Sequence, residues 1–153
     1  MSTPDLSSLL RLQQAIAEAA AKFVVVGVPE NKSGRQDGEL GNADIAFIHE
    51  MGDPARDLPE RSFLRSTMAE KRQAYQELAA KVMRKVMAGD MTVEQGLELI
   101  GMAAASDVQE TIEQGEFAPL APETIRRKGS SKPLIDKGQL RQSITSEVRD
   151  ACL

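Results

Sequence analysis

The sequence predicts an α+β fold, in which a small β-sheet packs against a long αα-hairpin and an N-terminal helix. Three observations predict it. Thr67-x-x-Glu70 and Thr92-x-x-Gln95 are capping boxes, each at the head of a long apolar pattern of helical period, with Gly89-Asp90 as the stop between them. The run Phe23-Val24-Val25-Val26-Gly27-Val28 is β-branched and bounded by Pro29, which reads as a strand over 23–28. An imperfect alternation over 143–148, with Ile144 and Val148 on one face, supplies a second strand to pair with it.

The elements follow in chain order. Thr3-Pro4-Asp5 is a helix start: a hydroxyl cap, proline at the first helical position, then an acid. Leu6, Leu9, Leu10, Ile16, Ala17 and Ala20 then fall on one face of a helix over 4–21. The unbroken apolar run of the first strand predicts that both its faces are covered. Residues 30–41 form a polar, glycine-rich loop, long enough to be functional or to order only against a neighbour. Asn42 can cap a short helix over 43–51, which Gly52 ends. A proline-punctuated connection over 53–59 leads to the αα-hairpin.

The hairpin is predicted at about 67–88 and 92–114. Met68, Tyr75, Leu78, Val82 and Val86 line its first helix; Val93, Leu97, Ile100, Ala104, Val108 and Ile112 line its second. Gly96 and Gly101 each weaken the second helix by roughly 1 kcal/mol relative to alanine. Close crossing of another element would offset that cost. Residues 117–120 are extended, Pro122 opens a short helix to 127, and Gly129-Ser130-Ser131 breaks it. Asp136-x-x-Gln139 is a third capping box, over about one turn. With no internal repeat, 1–153 reads as a single domain with a flexible loop at 30–41 and a short tail at 149–153.

Composition narrows the function. The chain has 153 residues, 41% apolar and 27% charged, the balance of a soluble globular domain. Its aromatics are Phe23, Phe47, Phe63, Phe117 and Tyr75, so the core rests on Leu, Ile, Val, Met and Ala. A net charge of −4 argues against a general nucleic-acid binder. The lone cysteine, Cys152, permits no internal disulfide and favours a reducing compartment. No signal peptide is expected from 1–5, and no apolar run is long enough to span a membrane.

The parts of an enzyme are missing, and none is expected. His49 is the one histidine, and His49-Glu50 lacks the second histidine of a zinc-protease motif. A hydrogen-bonded helix residue is the plainer reading of His49. One histidine and one tail cysteine do not make a zinc site, so neither metal nor cofactor is expected. Cys152 in a frayed tail reads as a free thiol. Gly34, Gly38 and Gly41 match no phosphate-cradling pattern. Arg126, Arg127, Lys128 and Lys132 form the one local basic cluster: a solvated loop, or a patch facing an acidic partner or passing DNA. No aromatics interleave with it, so base stacking is not expected.

Two segments are too specific for plain scaffolding. One is Asn42-Ala43-Asp44-Ile45-Ala46-Phe47-Ile48-His49-Glu50-Met51-Gly52, followed by Leu58-Pro59-Glu60-Arg61-Ser62-Phe63-Leu64-Arg65. The other is Lys132-Pro133-Leu134-Ile135-Asp136-Lys137-Gly138-Gln139-Leu140-Arg141-Gln142-Ser143-Ile144. Apolar anchors beside arginines suit protein–protein contact, which makes Arg61, Phe63, Leu64, Arg65, Leu134, Ile135, Leu140 and Arg141 candidate interface residues. Core positions at helix entrances are the alternative.

In order and spacing these segments resemble the tail-completion, or head–tail joining, proteins of long-tailed bacteriophages. The resemblance covers roughly 23–148. Met51 stands where the family often has an aromatic, and Lys137 where it often has threonine. The resemblance implies a structural protein of the virion neck or tail, assembled in the host cytoplasm, with no catalytic residue to carry over. It implies a ring of copies, commonly six-fold, built on heterologous contacts between one patch and a different patch of the next subunit. Implied neighbours are other neck and tail proteins such as the stopper, terminator or tail tube, with DNA only as the passing genome and no membrane partner. A tail terminator, stopper or other assembly factor is the alternative role.

Overall fold

The computed structural model describes residues 6–34, 40–129, 131–135 and 138–151. Its elements are α1 (Leu6–Ala20), β1 (Lys22–Gly27), α2 (Asn42–Met51), α3 (Leu64–Glu70), α4 (Arg72–Ala88), α5 (Val93–Gln114), α6 (Pro122–Lys128), α7 (Gln139–Ser143) and β2 (Thr145–Asp150). Short 3₁₀ turns occupy Glu30–Lys32 and Pro54–Arg56. The fold is α+β, with one two-stranded antiparallel sheet among the described residues.

Helix α5 is the axis. Its start is the capping box read from the sequence: Thr92 Oγ1 accepts the amide of Gln95 at 3.1 Å, and Gln95 Oε1 accepts the amide of Thr92 at 3.0 Å. Helix α4 ends on Gly89 at φ 83°, where the amides of Gly89 and Asp90 reach back to the carbonyls of Val86 and Lys85. The two helices cross closely. A Cβ on Gly96 would collide with the Val82 side chain of α4, which accounts for glycine inside a helix.

The first helix of the hairpin differs from its sequence reading. It is two helices, divided at Lys71, whose backbone (φ −89°, ψ 5°) leaves the α region. It also begins at Leu64, so Thr67 is no cap. Thr67 is buried in mid-helix; its hydroxyl donates to the Phe63 carbonyl at 2.6 Å and lies 2.7 Å from the Thr111 hydroxyl of α5. The division is pinned to α5 as well. Lys71 Nζ and Tyr75 OH donate to the two oxygens of Asp107, at 3.1 and 2.9 Å. Burial and that hydrogen bond push the Tyr75 hydroxyl far above its ordinary pKa.

In the sheet, Lys22 pairs with Asp150, Val24 with Val148 and Gly27 with Thr145. The second strand therefore starts two residues later than its pattern suggests, because Ser143 ends α7. The expected tail at 149–153 shrinks: Arg149 and Asp150 belong to β2, the Ala151 amide donates to the Ala21 carbonyl at 2.7 Å, and 152–153 lie outside the described residues. Helix α5 lies on one face of the sheet at Gly101, where a Cβ would come within 2.7 Å of Ser146 Oγ and 2.9 Å of Val24 Cγ1. The other face is not fully covered, as Phe23 is 44% exposed.

Part of the expected loop at 30–41 is tied down. Asn42 is not the cap but the first residue of α2, with Gly41 at the N-cap. Asn42 is buried, and its amide donates to the carbonyls of Lys32 and Gly34. Ser33 Oγ accepts the Ala43 amide at 3.1 Å and so satisfies one donor of the α2 start. Residues 35–39 lie outside the described residues, as do Asp136 and Lys137 of the third capping box; α7 starts behind Gly138 at φ 74°.

The core has two parts along α5. Phe63, Ala105, Val108, Ile112, Leu134, Leu140 and Ile144 form one buried cluster. Val82, Val86 and Val93 form the other near the α4–α5 turn, with Ala15 and Ala19 of α1 against it. No residue of α1 is fully buried, and the face carrying Leu6, Leu9, Leu10 and Ile16 is turned to solvent. That is the reverse of what an apolar helical stripe ordinarily implies.

Candidate interaction site

The site is built where the chain reverses after α2. Gly52 takes φ 70°, and a Cβ there would lie 2.8 Å from the Glu60 amide nitrogen. Asp53 and Leu58 then pair through both backbone hydrogen bonds, at 2.9 and 3.0 Å, around a tight turn with Asp57 left-handed at φ 54°. The returning strand lies against the end of α2, and the Arg61 amide donates to the His49 carbonyl at 2.8 Å.

This reversal aims Glu50 at the start of α3. Glu50 Oε2 accepts the amides of Phe63 and Leu64, and Oε1 accepts the Arg65 amide, each at 2.9 Å. Oε1 also accepts from Ser62 Oγ at 2.7 Å and Arg65 Nε at 3.0 Å. A carboxylate from another helix thus caps α3, at the helix end that favours negative charge. Burial by itself pushes the Glu50 pKa up; the bonds from Leu64, Ser62 and Arg65 outweigh it and hold the carboxyl below its ordinary value. Arg65 bridges onward, donating to the Glu50 carbonyl at 2.9 Å and to Glu60 Oε1 at 2.6 Å. The bond to the Glu50 carboxylate first, and then the Glu60 charge, favour the charged form of Arg65.

The eight candidate interface residues separate by burial. Arg61, Phe63, Leu134 and Leu140 are inside the chain. Arg61 donates to the carbonyls of Ala118 and Pro119, at 2.8 and 3.1 Å, and fastens the extended segment after α5; its burial lowers its pKa. Phe63, Leu134 and Leu140 share the first core cluster. Phe63 cannot join a contact surface without opening the core, which corrects the sequence expectation for it; Arg61, Leu134 and Leu140, though buried, show one side to the groove between α2 and α7. Leu64 and Ile135 are half-buried against the same cluster. Arg65 and Arg141 reach the surface, with side chains 55% and 42% exposed. Arg141 Nε lies 3.4 Å from Glu113 Oε2, an ion pair by charge in which Nε makes no hydrogen bond.

The basic cluster is only partly described. Arg126 and Arg127 are exposed on α6, and the Lys128 side chain lies outside the described residues. Lys132 Nζ donates to the Glu113 carbonyl at 3.3 Å, in the last turn of α5, where a cation complements the helix dipole.

Between α2, the 53–58 turn, α6 and α7 lies a groove of about 1420 Å³. Its apolar lining includes Ile45, Ile48, Met51, Leu58, Leu120 and Leu134, and His49 and Arg127 border it. Among the described residues no group of His, Cys, Asp and Glu could hold a metal ion. No described helix is long and apolar enough to cross a membrane.

Sequence reasoning missed Glu50, seeing it only as half of a broken metal motif. The available signal was a carboxylate set between Ile48 and Met51 on a short apolar helix. Comparison with protein-family models, with curated proteins and with solved structures finds no match.

Proposed function

We propose that this chain is a structural virion protein of a tailed bacteriophage, a tail-completion or neck subunit that forms a ring joining tail to head. One observation supports the reading most. The segments 42–65 and 132–144, which carry the resemblance, are far apart in sequence and close in space. Phe63 of the first shares a buried cluster with Leu134, Leu140 and Ile144 of the second. Chance matches of two short segments have no reason to be neighbours; parts of one structural unit do. Together they leave Arg65 and Arg141 at the surface, and with α6 they line a groove of about 1420 Å³, larger than a typical small-molecule site, which runs to about 1,000 Å³.

The reading assigns no catalytic step and no cofactor. Its partners are further copies of the chain, six in the common case, and neck or tail proteins such as a stopper, terminator or tail tube above and below. Electron microscopy of the parent particle tests it: density for this chain at the neck or tail top is expected, and its absence there sinks the reading. Particles made without the protein separate the roles. Finished tails beside filled, unjoined heads fit the joining role, whereas overlong tails fit a terminator instead.

A further inference from the structure

Arg61 carries a charge that the fold buries and does not neutralise. The residue is 4% exposed. Its Nε and Nη2 donate to the carbonyls of Ala118 and Pro119, at 2.8 and 3.1 Å. Those dipoles solvate the guanidinium in part but carry no net charge, and no described carboxylate pairs with it. Burial lowers its pKa, and no described acid raises it in return. Buried charges are ordinarily paired, so an unneutralised one favours an anion beside it. The charge can also be reached. Arg61 lines the groove between α2 and α6. Its Nη1 makes no hydrogen bond among the described residues, yet the sealed side-chain atom without a partner is Arg141 Nε and not Arg61 Nη1. Nη1 therefore opens on the groove. With Nη2 beside it, that end of the guanidinium has the two-pronged form that fits a carboxylate.

The surroundings of that charge select the ligand. Ile48, Leu120 and Leu134 make the groove floor apolar, while Arg56, Asp57, Glu60 and Arg127 stand exposed along its rim. Glu60 is held by Arg65 at 2.6 Å, and Arg56 lies 3.5 Å from Asp53. Arg127 is left as a second cation with no carboxylate among the described residues, so the groove attracts negative charge. The apolar floor disfavours a fully hydrated anion such as inorganic phosphate. A floor of this kind under a polar rim is the makeup of a protein contact, whereas a fatty acid would use the floor and leave the rim idle. At about 1420 Å³ the groove also exceeds the typical small-molecule pocket.

We propose that the groove binds an extended segment of a partner protein, with a glutamate or aspartate side chain on Arg61 and aliphatic side chains on the floor to either side. In an extended chain alternate side chains share a face, so a carboxylate flanked at alternate positions by aliphatic residues presents all of them downward together. The rim residues then meet the segment's own backbone N–H and C=O groups. The carboxylate supplies the counter-charge that Arg61 lacks within its chain, and the apolar surround strengthens the pair. The contact stands on the Arg61 charge and not on the virion reading.

The test titrates the isotope-labelled full chain with the peptide acetyl-Ile-Ser-Glu-Ser-Ile-amide and with its Gln counterpart, followed by NMR. The Glu peptide should shift the amide resonances of the groove residues Met51, Leu58, Leu120 and Arg127. The Gln peptide should bind at least about tenfold more weakly, the worth of a charged hydrogen bond. Arg61→Gln should bind both peptides alike, and Arg126→Gln, outside the groove, should keep the preference for Glu. Equal affinity of the two peptides for the parent chain overturns the proposal. So do shifts confined to other surfaces, no shift at millimolar Glu peptide, or a preference that survives in Arg61→Gln. Dodecanoate that moves the same resonances at lower concentration than the Glu peptide also overturns it, by making the groove a fatty-acid site. Should Arg61→Gln fail to fold, the two peptides on the parent chain still decide. None of these results bears on whether the chain sits at the neck, which microscopy reads.

Discussion

Glu50 Oε2 accepts the amide of Leu64 at 2.9 Å, so the side chain that ends one helix caps the start of another. The same carboxylate bonds Phe63, Arg65 and Ser62, and its removal leaves several amide donors without partners. Glu50→Ala should lower stability by about 3 kcal/mol, the loss of a helix cap plus a buried charge-assisted bond. Urea denaturation measures it, and a loss near zero would show that water replaces the cap.

Acid should act through the same group. The Glu50 carboxyl titrates below its ordinary value of 4.5 when folded, so the unfolded chain takes up the proton first as pH falls. Its contribution is complete above that value and disappears as pH drops through the lower folded pKa. The stability gap between the parent chain and Glu50→Gln should therefore be constant near neutral pH and narrow below about 4.5. Urea midpoints across that range decide it; a gap that widens on acidification contradicts the assignment.

Phe63 and Leu134 join the two motif segments inside one cluster, at 1% and 5% exposure. Phe63→Ala should cost about 3–5 kcal/mol and Leu134→Ala about 2–5 kcal/mol through lost burial and the cavities left behind. Calorimetry reads both. Losses under about 1 kcal/mol would mean that these side chains do not close the core.

Gly101→Ala weighs two opposed effects. Alanine favours the helix by about 1 kcal/mol. Its Cβ would also meet Ser146 and Val24 at under 3 Å, and overpacking typically costs about 1–3 kcal/mol. The sheet should win, giving net destabilisation in thermal melts. A more stable variant would show that α5 stands off from the strands.

Arg65 and Arg141 should part company. Arg65 holds Glu50 and Glu60, so Arg65→Ala should lower the melting temperature as well as any assembly. Arg141 has one half-exposed partner, Glu113, so Arg141→Ala should melt with the parent chain while, under the ring reading, joining tails poorly. Normal joining by both variants removes them from any interface.

The sequence carried the fold where its signals were local. Thr92 with Gln95 and Gly89 with its left-handed backbone mark helix ends by chemistry that operates within a few residues, and the structure has both. The α3 start was illegible because its cap is Glu50, a distant carboxylate, while Thr67-x-x-Glu70 offered a local pattern that burial overrode. Periodicity found the α1 stripe but could not say which way it faced, since the docking surface uses alanines. Of the site, the motif residues were legible as special; which were core and which surface depended on contacts that no spacing encodes.

The two-stranded sheet has a kinetic consequence. Lys22 and Asp150 meet across 128 residues of sequence. Closing a loop of that size costs about 4 kcal/mol in chain entropy before any strand contact offsets it. Helices α3 to α5 bring the distant ends together by local contacts, so β1–β2 pairing belongs late in folding. The sheet is then a latch on a nearly finished molecule, and a chain truncated during synthesis has helices but no latch. Such a chain loses the Ser146 side of the cover over Gly101 and keeps only the Val24 side.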